Sequence, residues 1–216
     1  MKKIASPLFQ DLSEAELDTL AVAGHLRTRQ FAKHEVIFHA GSCVREIGIV
    51  LRGSVHIENL DLWGTKSILS SVGAGQAFAE TYAFCGEALM VDAVAAEHCE
   101  ILFLHTAALT DARIEPALQD KLLRRLLAVS MRKNLSLSQR IFCTTPKTVR
   151  GRLLTYFSAQ AARCGRMEFE VPFNRQQMAD YLNLDRSALS KELCKMRDEG
   201  LLEFDKNRFV LKQLPE

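Results

Sequence analysis

The chain is 216 residues long, 48% hydrophobic and 25% charged, with a formal net charge of +2; that is enough to bury a substantial core in one or two domains. No apolar run approaches the length of a membrane span, and the stretch after Met1-Lys2-Lys3 is too short for a signal peptide, so a cytoplasmic protein without a membrane partner is expected. The six cysteines (Cys43, Cys85, Cys99, Cys143, Cys164, Cys194) form no C-x-x-C pair and none precedes residue 43, which argues against a zinc site or a clustered-cysteine iron–sulfur site and for scattered, reduced, half-buried thiols.

The small net charge hides a segregation. Residues 1–112 carry 8 Lys+Arg against 14 Asp+Glu, whereas residues 113–216 carry 20 against 12. From Lys121 to Arg166 there are 11 basic residues and no acid. An acidic front and a basic back suggest a sensor joined to a polyanion binder.

Ser13-Glu14-Ala15-Glu16 is a capping box that should open a short helix through about Ala23. From Leu26 to Leu104 short apolar runs alternate with turn signals. The runs are Val36-Ile37-Phe38, Ile47 to Leu51, Val55-His56-Ile57, Ser67-Ile68-Leu69, Val91 to Ala95 and Ile101 to Leu104. The turns fall at Ala40-Gly41-Ser42, Arg52-Gly53, Asp61-Leu62-Trp63-Gly64 and Gly73-Ala74-Gly75. Many short strands at this spacing indicate a β-sandwich or jelly roll.

Helical spacing then returns. Leu118, Leu122, Leu126 and Val129 make one stripe, and Leu123, Leu127, Leu137 and Ile141 a second. Two stripes mean a helix with partners on two sides, one the roll and the other a second copy of the chain. Thr144-Thr145-Pro146 breaks the helix, because the residue before proline avoids helical geometry. A further helix is expected over Lys147–Cys164, stopped at Gly165-Arg166, and a short strand at Met167 to Val171.

The next segment carries the chemistry. Asn174 can cap a helix from Arg175 to Leu182, with Met178, Ala179 and Leu182 facing inward, and Asn183-Leu184 makes a tight turn. Asp185 can cap a second helix on which Arg186, Ser187, Ser190 and Lys191 share an acid-free face while Leu189, Leu193 and Met196 form the buried stripe. Glu199-Gly200 closes it, and Leu201 to Phe204 with Arg208 to Leu211 flank a hairpin turn at Asp205-Lys206-Asn207. This is a helix-turn-helix followed by a wing, with the second helix shaped to enter a DNA major groove. A plain helical hairpin with a solvated polar face is the alternative, but cap, turn, basic face and wing all agree on DNA. Arg186, Ser187, Ser190 and Lys191 are the candidate readers; Arg175 joins the set, and Lys147, Arg150 and Arg152 near the break supply sequence-independent affinity.

The expected fold is thus α+β: a jelly-roll sensing domain (1–112), a long dimerisation helix (113–144) and a winged helix-turn-helix domain (145–216). That order resembles the Crp/Fnr family of bacterial transcription regulators over essentially the whole chain. The residues that carry the resemblance are Val36-Ile37-Phe38-His39-Ala40-Gly41, Leu51-Arg52-Gly53-Ser54-Val55, Gly75-Gln76-Ala77-Phe78-Ala79-Glu80 and Asp185 to Leu202. The resemblance implies a homodimer that binds a two-fold site on double-stranded DNA and recruits or blocks RNA polymerase in response to a signal. It also implies that Arg186, Ser187, Ser190 and Lys191 face base edges or nearby phosphates.

The chain departs from the family where the signal is bound. Cyclic-AMP-binding members look like Phe-Gly-Glu followed, after a short helix, by an Arg-Ser that grips the phosphate. Here Phe78-Ala79-Glu80 keeps the acid, but the later segment reads Ala88-Leu89-Met90-Val91-Asp92-Ala93, and between Arg52 and Arg113 the only cation besides histidines is Lys66. A buried phosphate without a charge-assisted partner would cost several kcal/mol, so a cyclic nucleotide is disfavoured. Leu137-Ser138 stands roughly where such members place a hydroxyl pair against the adenine. A pocket of Phe78, Glu80, Tyr82, Phe84, Leu89, Met90 and Ser138 would suit a small, mostly apolar or aromatic effector; Glu80 could equally brace the short helix.

No cofactor is implied with certainty. The oxygen-sensing members' N-terminal cysteine cluster is missing. Any of His25, His34, His39, His56, His98 and His105 could ligate haem as in gas-sensing relatives, but no pair has ligand spacing, and hydrogen-bonded imidazoles are the simpler account. No G-x-S-x-G, P-loop or H-E-x-x-H motif is present, and a cupin-like metalloenzyme would need more ligands than His98 and His105 supply. A non-enzymatic regulator is expected.

Overall fold

The computed structural model describes residues 4–60 and 66–212, so Met1-Lys2-Lys3 and the turn expected at Asp61-Leu62-Trp63-Gly64 lie outside the described residues. The chain divides into two compact units, 1–132 and 133–216.

In the first unit, helix α1 (Glu14–Val22) opens with the expected capping box: the Ser13 hydroxyl accepts from the Glu16 N–H at 3.2 Å, and the Glu16 carboxylate accepts from the Ser13 N–H at 2.7 Å. Eight strands follow: β1 (Leu26–Phe31), β2 (Val36–Phe38), β3 (Glu46–Arg52), β4 (Val55–Leu60), β5 (Lys66–Val72), β6 (Ala77–Phe78), β7 (Asp92–Ala95) and β8 (Cys99–His105). They form two antiparallel four-stranded sheets, ordered β1-β8-β3-β6 and β2-β7-β4-β5. Helix α2 (Glu80–Cys85) interrupts the strands between β6 and β7.

Aromatic and branched side chains fill one core of the roll: Phe31, Phe38, Val50, Val55, Phe78, Leu89, Ile101 and Phe103. Two glycines permit this packing. A Cβ on Gly48 would clash with the end of the Phe78 ring, and Gly53 turns β3 into β4 at φ +84°, where a Cβ would strike the His98 carbonyl and Cys99.

Helix α3 (Pro116–Thr144) begins in the first unit, where Leu118, Leu122 and Leu126 are buried with α1, Ile47, Ile49, Leu102 and Leu104. The first stripe read from the sequence is therefore the face that closes the roll.

The second unit contains α4 (Val149–Cys164), β9 (Glu168–Glu170), α5 (Arg175–Leu182), α6 (Arg186–Asp198), β10 (Leu202–Asp205) and β11 (Arg208–Leu211), the strands forming a sheet ordered β10-β11-β9. Helix α4 starts two residues later than expected because the Thr148 side chain caps it, accepting from the Gly151 N–H at 3.0 Å. Leu153, Phe157, Phe169, Met178, Leu182, Leu189, Leu193, Met196 and Phe209 make its core. The three strands thus lie on the same core as the helix-turn-helix, which fixes the wing beside the reading helix.

Candidate nucleic-acid interface

The helix-turn-helix is built by local capping. At α5 the Asn174 side chain accepts from the Gln177 N–H, and the Gln177 side-chain oxygen accepts in return from the Asn174 N–H, both at 2.9 Å. Asn183 takes the left-handed conformation at φ 53°, which ends α5 and turns the chain. The Asp185 carboxylate then accepts from the Ser187 and Ala188 N–H groups at 2.8 and 2.9 Å and caps α6. Hydrogen bonds from these groups, the Ser187 hydroxyl foremost, hold the Asp185 carboxyl below the usual carboxylate range.

With Leu189, Leu193 and Met196 buried on one side of α6, the opposite side presents Arg186, Ser187 and Lys191 to solvent, with Ser190 half-buried. Arg186 and Lys191 form no ion pair among the described residues. Cys194 is also exposed one turn beyond Ser190, on the same face, and was not singled out in the sequence.

The basic run tells a different story from its composition. Arg150 donates to Glu192 at 2.6 Å and makes a bidentate pair with Glu199 at 2.8 and 2.9 Å, so it staples α4 to α6. Arg152 donates to the carbonyls of Pro146, Leu182 and Asn183, and Arg140 to those of Asp180 and Tyr181. These two guanidiniums satisfy the carbonyls at the C-terminal end of α5 that the helix itself leaves open. In the first unit Lys121 pairs with Glu16, Arg124 with Asp120 and Arg125 with Asp11. Arg150 and Arg152 are therefore not the free phosphate contacts that their place in the basic run suggested. Lys147 is exposed and forms no ion pair among the described residues.

Arg175 is half-buried. Its guanidinium lies over the rings of Phe204 and Phe209, 4.9 and 5.1 Å from their centroids, and burial lowers its pKa. With Pro172, Phe173, Asn174, Lys206 and Asn207 it lines a groove of about 450 Å³ between the start of α5 and the tip of the wing. Lys206 sits at that tip at φ 50° and is exposed. It was named only as a turn residue, though a lysine at a wing tip is itself a readable signal for a phosphate contact.

Of the residues expected to line an effector pocket, Phe78 and Leu89 share one buried cluster of the roll, with Tyr82 packed against it. Phe78 is 2% exposed and packs on Gly48 and Phe38, its ring 5.8 Å from that of Phe38. Leu89 is held inward by backbone hydrogen bonds with Ser42 and Gly41, while the next residue, Met90, is 77% exposed. Glu80 is buried at the start of α2, behind Ala79 at φ 61°; Tyr82 is half-buried and Phe84 exposed. Ser138 belongs to the second unit, with its hydroxyl 3.4 Å from the Asn134 side-chain oxygen. None of the seven lines the groove of about 540 Å³ among Ala15, Asp18, Thr19, Val22, Ala23 and Arg113 in the first unit.

Four of the six histidines have acidic or backbone partners: His25 with Asp111 at 2.7 Å, His39 with Asp92 at 3.9 Å, His56 with Glu58 at 3.6 Å, and His105 accepting from the Ala107 N–H. Among the described residues no group of three or more His, Cys, Asp or Glu is placed to hold a metal ion.

A two-sheet roll, a long helix and a capped helix-turn-helix with a wing together define a sensor-linked DNA-binding regulator. The family models agree: a cyclic nucleotide-binding domain matches residues 28–113 and a Crp-like helix-turn-helix domain matches residues 151–216. The chain belongs to the Crp/Fnr family of transcription regulators. Among solved structures it is similar to the catabolite activator protein of Thermus thermophilus (24% identity, covering 96% of this chain and 94% of that one, TM-score 0.50). It is also similar to CprK in complex with OCPA (13%, 94% and 91%, TM-score 0.64) and to the c-di-GMP-responsive global regulator CLP of Xanthomonas campestris (18%, 93% and 100%, TM-score 0.54). These likenesses are of fold. No curated protein matches the sequence.

Proposed function

We propose that the chain acts as a homodimer that reads a two-fold duplex site through α6 and couples that reading to a small effector, without enzymatic activity of its own. The observation that carries it is the α6 face: Arg186 and Lys191 stand exposed with no ion pair among the described residues, while Arg140, Arg150 and Arg152 are engaged within the domain. Free cations on a rigid, capped helix are what base and phosphate contacts require. Exposed Lys147 and Lys206, with Arg175 at the start of α5, are the candidates for contacts to the flanking backbone.

The second stripe of α3 supports the dimer. Leu123, Leu127, Met131, Leu135, Leu137, Ile141 and Phe142 are all 47% or more exposed in the single chain, an apolar band that water does not favour and a second copy would cover. Two α6 helices would then meet half-sites about one helical turn, roughly 34–36 Å, apart. In this scheme residues 1–112 sense, 113–144 dimerise and 145–216 bind DNA.

For the effector, the scarcity of cations in the roll between Arg52 and Arg113 favours a small, mostly apolar or aromatic molecule over a phosphate. Its binding shifts the winged helices and so the regulator's effect on RNA polymerase. Duplex binding measured across salt concentrations tests the central claim: affinity that falls steeply with salt is expected, and salt-independent or absent binding would overturn it.

A further inference from the structure

Ser187 stands at the leading turn of α6, and its hydroxyl hydrogen is taken up by the residue that caps the helix. Its hydroxyl oxygen lies 2.5 Å from Asp185 Oδ1. A carboxylate can only accept, and Asp185 is held ionised by the same bonds that cap the helix, so the hydrogen in that short contact belongs to Ser187. The hydroxyl is thereby left with lone pairs alone. A serine, ordinarily able to read either partner type, becomes an acceptor that is fixed in sign.

We infer that Ser187, locked by Asp185, is a specificity-determining residue that accepts from a base amino group and selects against acceptor edges at its position. In the major groove the available donors are the N4 amino group of cytosine and the N6 amino group of adenine, whereas guanine O6 and thymine O4 only accept. A guanine or thymine facing Ser187 would set two acceptors against each other. Arg186, its neighbour in sequence, has the opposite character: a guanidinium offers donors only and suits the O6/N7 edge of guanine. The leading turn therefore carries a donor-only residue next to an acceptor-only residue. That pairing narrows the half-site at two base pairs rather than one. Asp185 acts through Ser187 and is a positioning residue.

The inference rests on α6 being the DNA reader, and one experiment separates the two. The full-length protein is used to select duplexes from a random library. All four bases are then compared at each half-site position for the wild type, Ser187→Ala and Asp185→Gly. Thermal melting of each variant checks that it folds; glycine is tolerated at an N-cap at a cost of a few tenths of a kcal/mol.

One position per half-site should prefer adenine or cytosine on the contacted strand by about five- to tenfold, the discrimination that one hydrogen bond supplies. Ser187→Ala should flatten that position alone. Asp185→Gly should relax the penalty against guanine and thymine there, because it removes the oxygen that takes the hydroxyl hydrogen and leaves the hydroxyl able to donate, and this is an effect that a merely structural cap would not produce. An unchanged profile in Ser187→Ala, or a guanine or thymine preference lost on that substitution, would overturn the inference while leaving DNA reading intact. Failure to enrich any duplex would overturn both.

Discussion

Arg186 is the residue on which sequence discrimination chiefly depends in the proposed complex. Its side chain leaves the first turn of α6 with no internal partner among the described residues, so no existing bond must break when it meets a guanine. Arg186→Ala should cost about 1–3 kcal/mol in affinity and relax preference at one base pair per half-site, as measured on a panel of single-base operator variants. Equal weakening on every sequence would make Arg186 a phosphate clamp instead. A second prediction concerns stability. Tyr156 is buried in the aromatic cluster with Phe157, Phe173 and Tyr181, and its hydroxyl has no hydrogen-bond partner among the described residues. A buried unsatisfied hydroxyl costs about 1–3 kcal/mol, so Tyr156→Phe, which keeps the ring and removes the hydroxyl, should leave the melting temperature unchanged or raise it. A clear fall would show that the hydroxyl is bonded to a buried water.

At the scale of elements, how much the sequence disclosed depended on whether the signal was local. The caps at Ser13, Asn174 and Asp185, the turn at Asn183-Leu184 and the wing hairpin each occupy a few consecutive residues and were all legible. The partners of the arginines were not, because Arg150 meets Glu192 and Glu199 at separations of 42 and 49 residues, and a charge count cannot see such pairs. Side-chain direction in the expected pocket was hidden for a related reason: Leu89 and Met90 are both apolar, but only backbone bonding to Gly41 and Ser42 decides which of them points inward. This distinction yields a contrast of variants. Lys147→Ala should lower the salt slope of DNA binding by about one per subunit, as expected for a lost phosphate contact. Arg150→Ala should leave that slope nearly unchanged yet lower the melting temperature and weaken all duplexes alike, because it frees α6 from α4. A fall in slope with Arg150→Ala and none with Lys147→Ala would reverse the two roles.

For the whole molecule, the single chain leaves the second stripe of α3 uncovered, and its first stripe is already spent on closing the roll. A charge placed in the free stripe should therefore break assembly without harming the fold of the roll. Leu127→Glu, at a side chain 57% exposed in the single chain, should sediment as a monomer at micromolar concentration and bind a full operator little better than a half-site. A wild-type monomer, with or without DNA, would count against the dimer itself.

The same scale governs the effector. The family model names a cyclic nucleotide-binding domain, but a fold shared with cyclic-nucleotide binders does not carry the phosphate contact with it. Two departures point the same way: no arginine stands in the segment from Ala88 to Ala93, and leucine replaces one of the expected hydroxyls at Leu137-Ser138. Calorimetry should accordingly find cyclic AMP and cyclic GMP binding no tighter than millimolar, a limit of about −4 kcal/mol. Native mass spectrometry and an absorption spectrum of freshly purified protein would reveal a retained apolar molecule or a haem. Micromolar cyclic-nucleotide binding that also tightened DNA association would sink the apolar-effector reading, and would require a cation from elsewhere, such as Arg132 or Lys133 on α3, to take the place of the missing arginine.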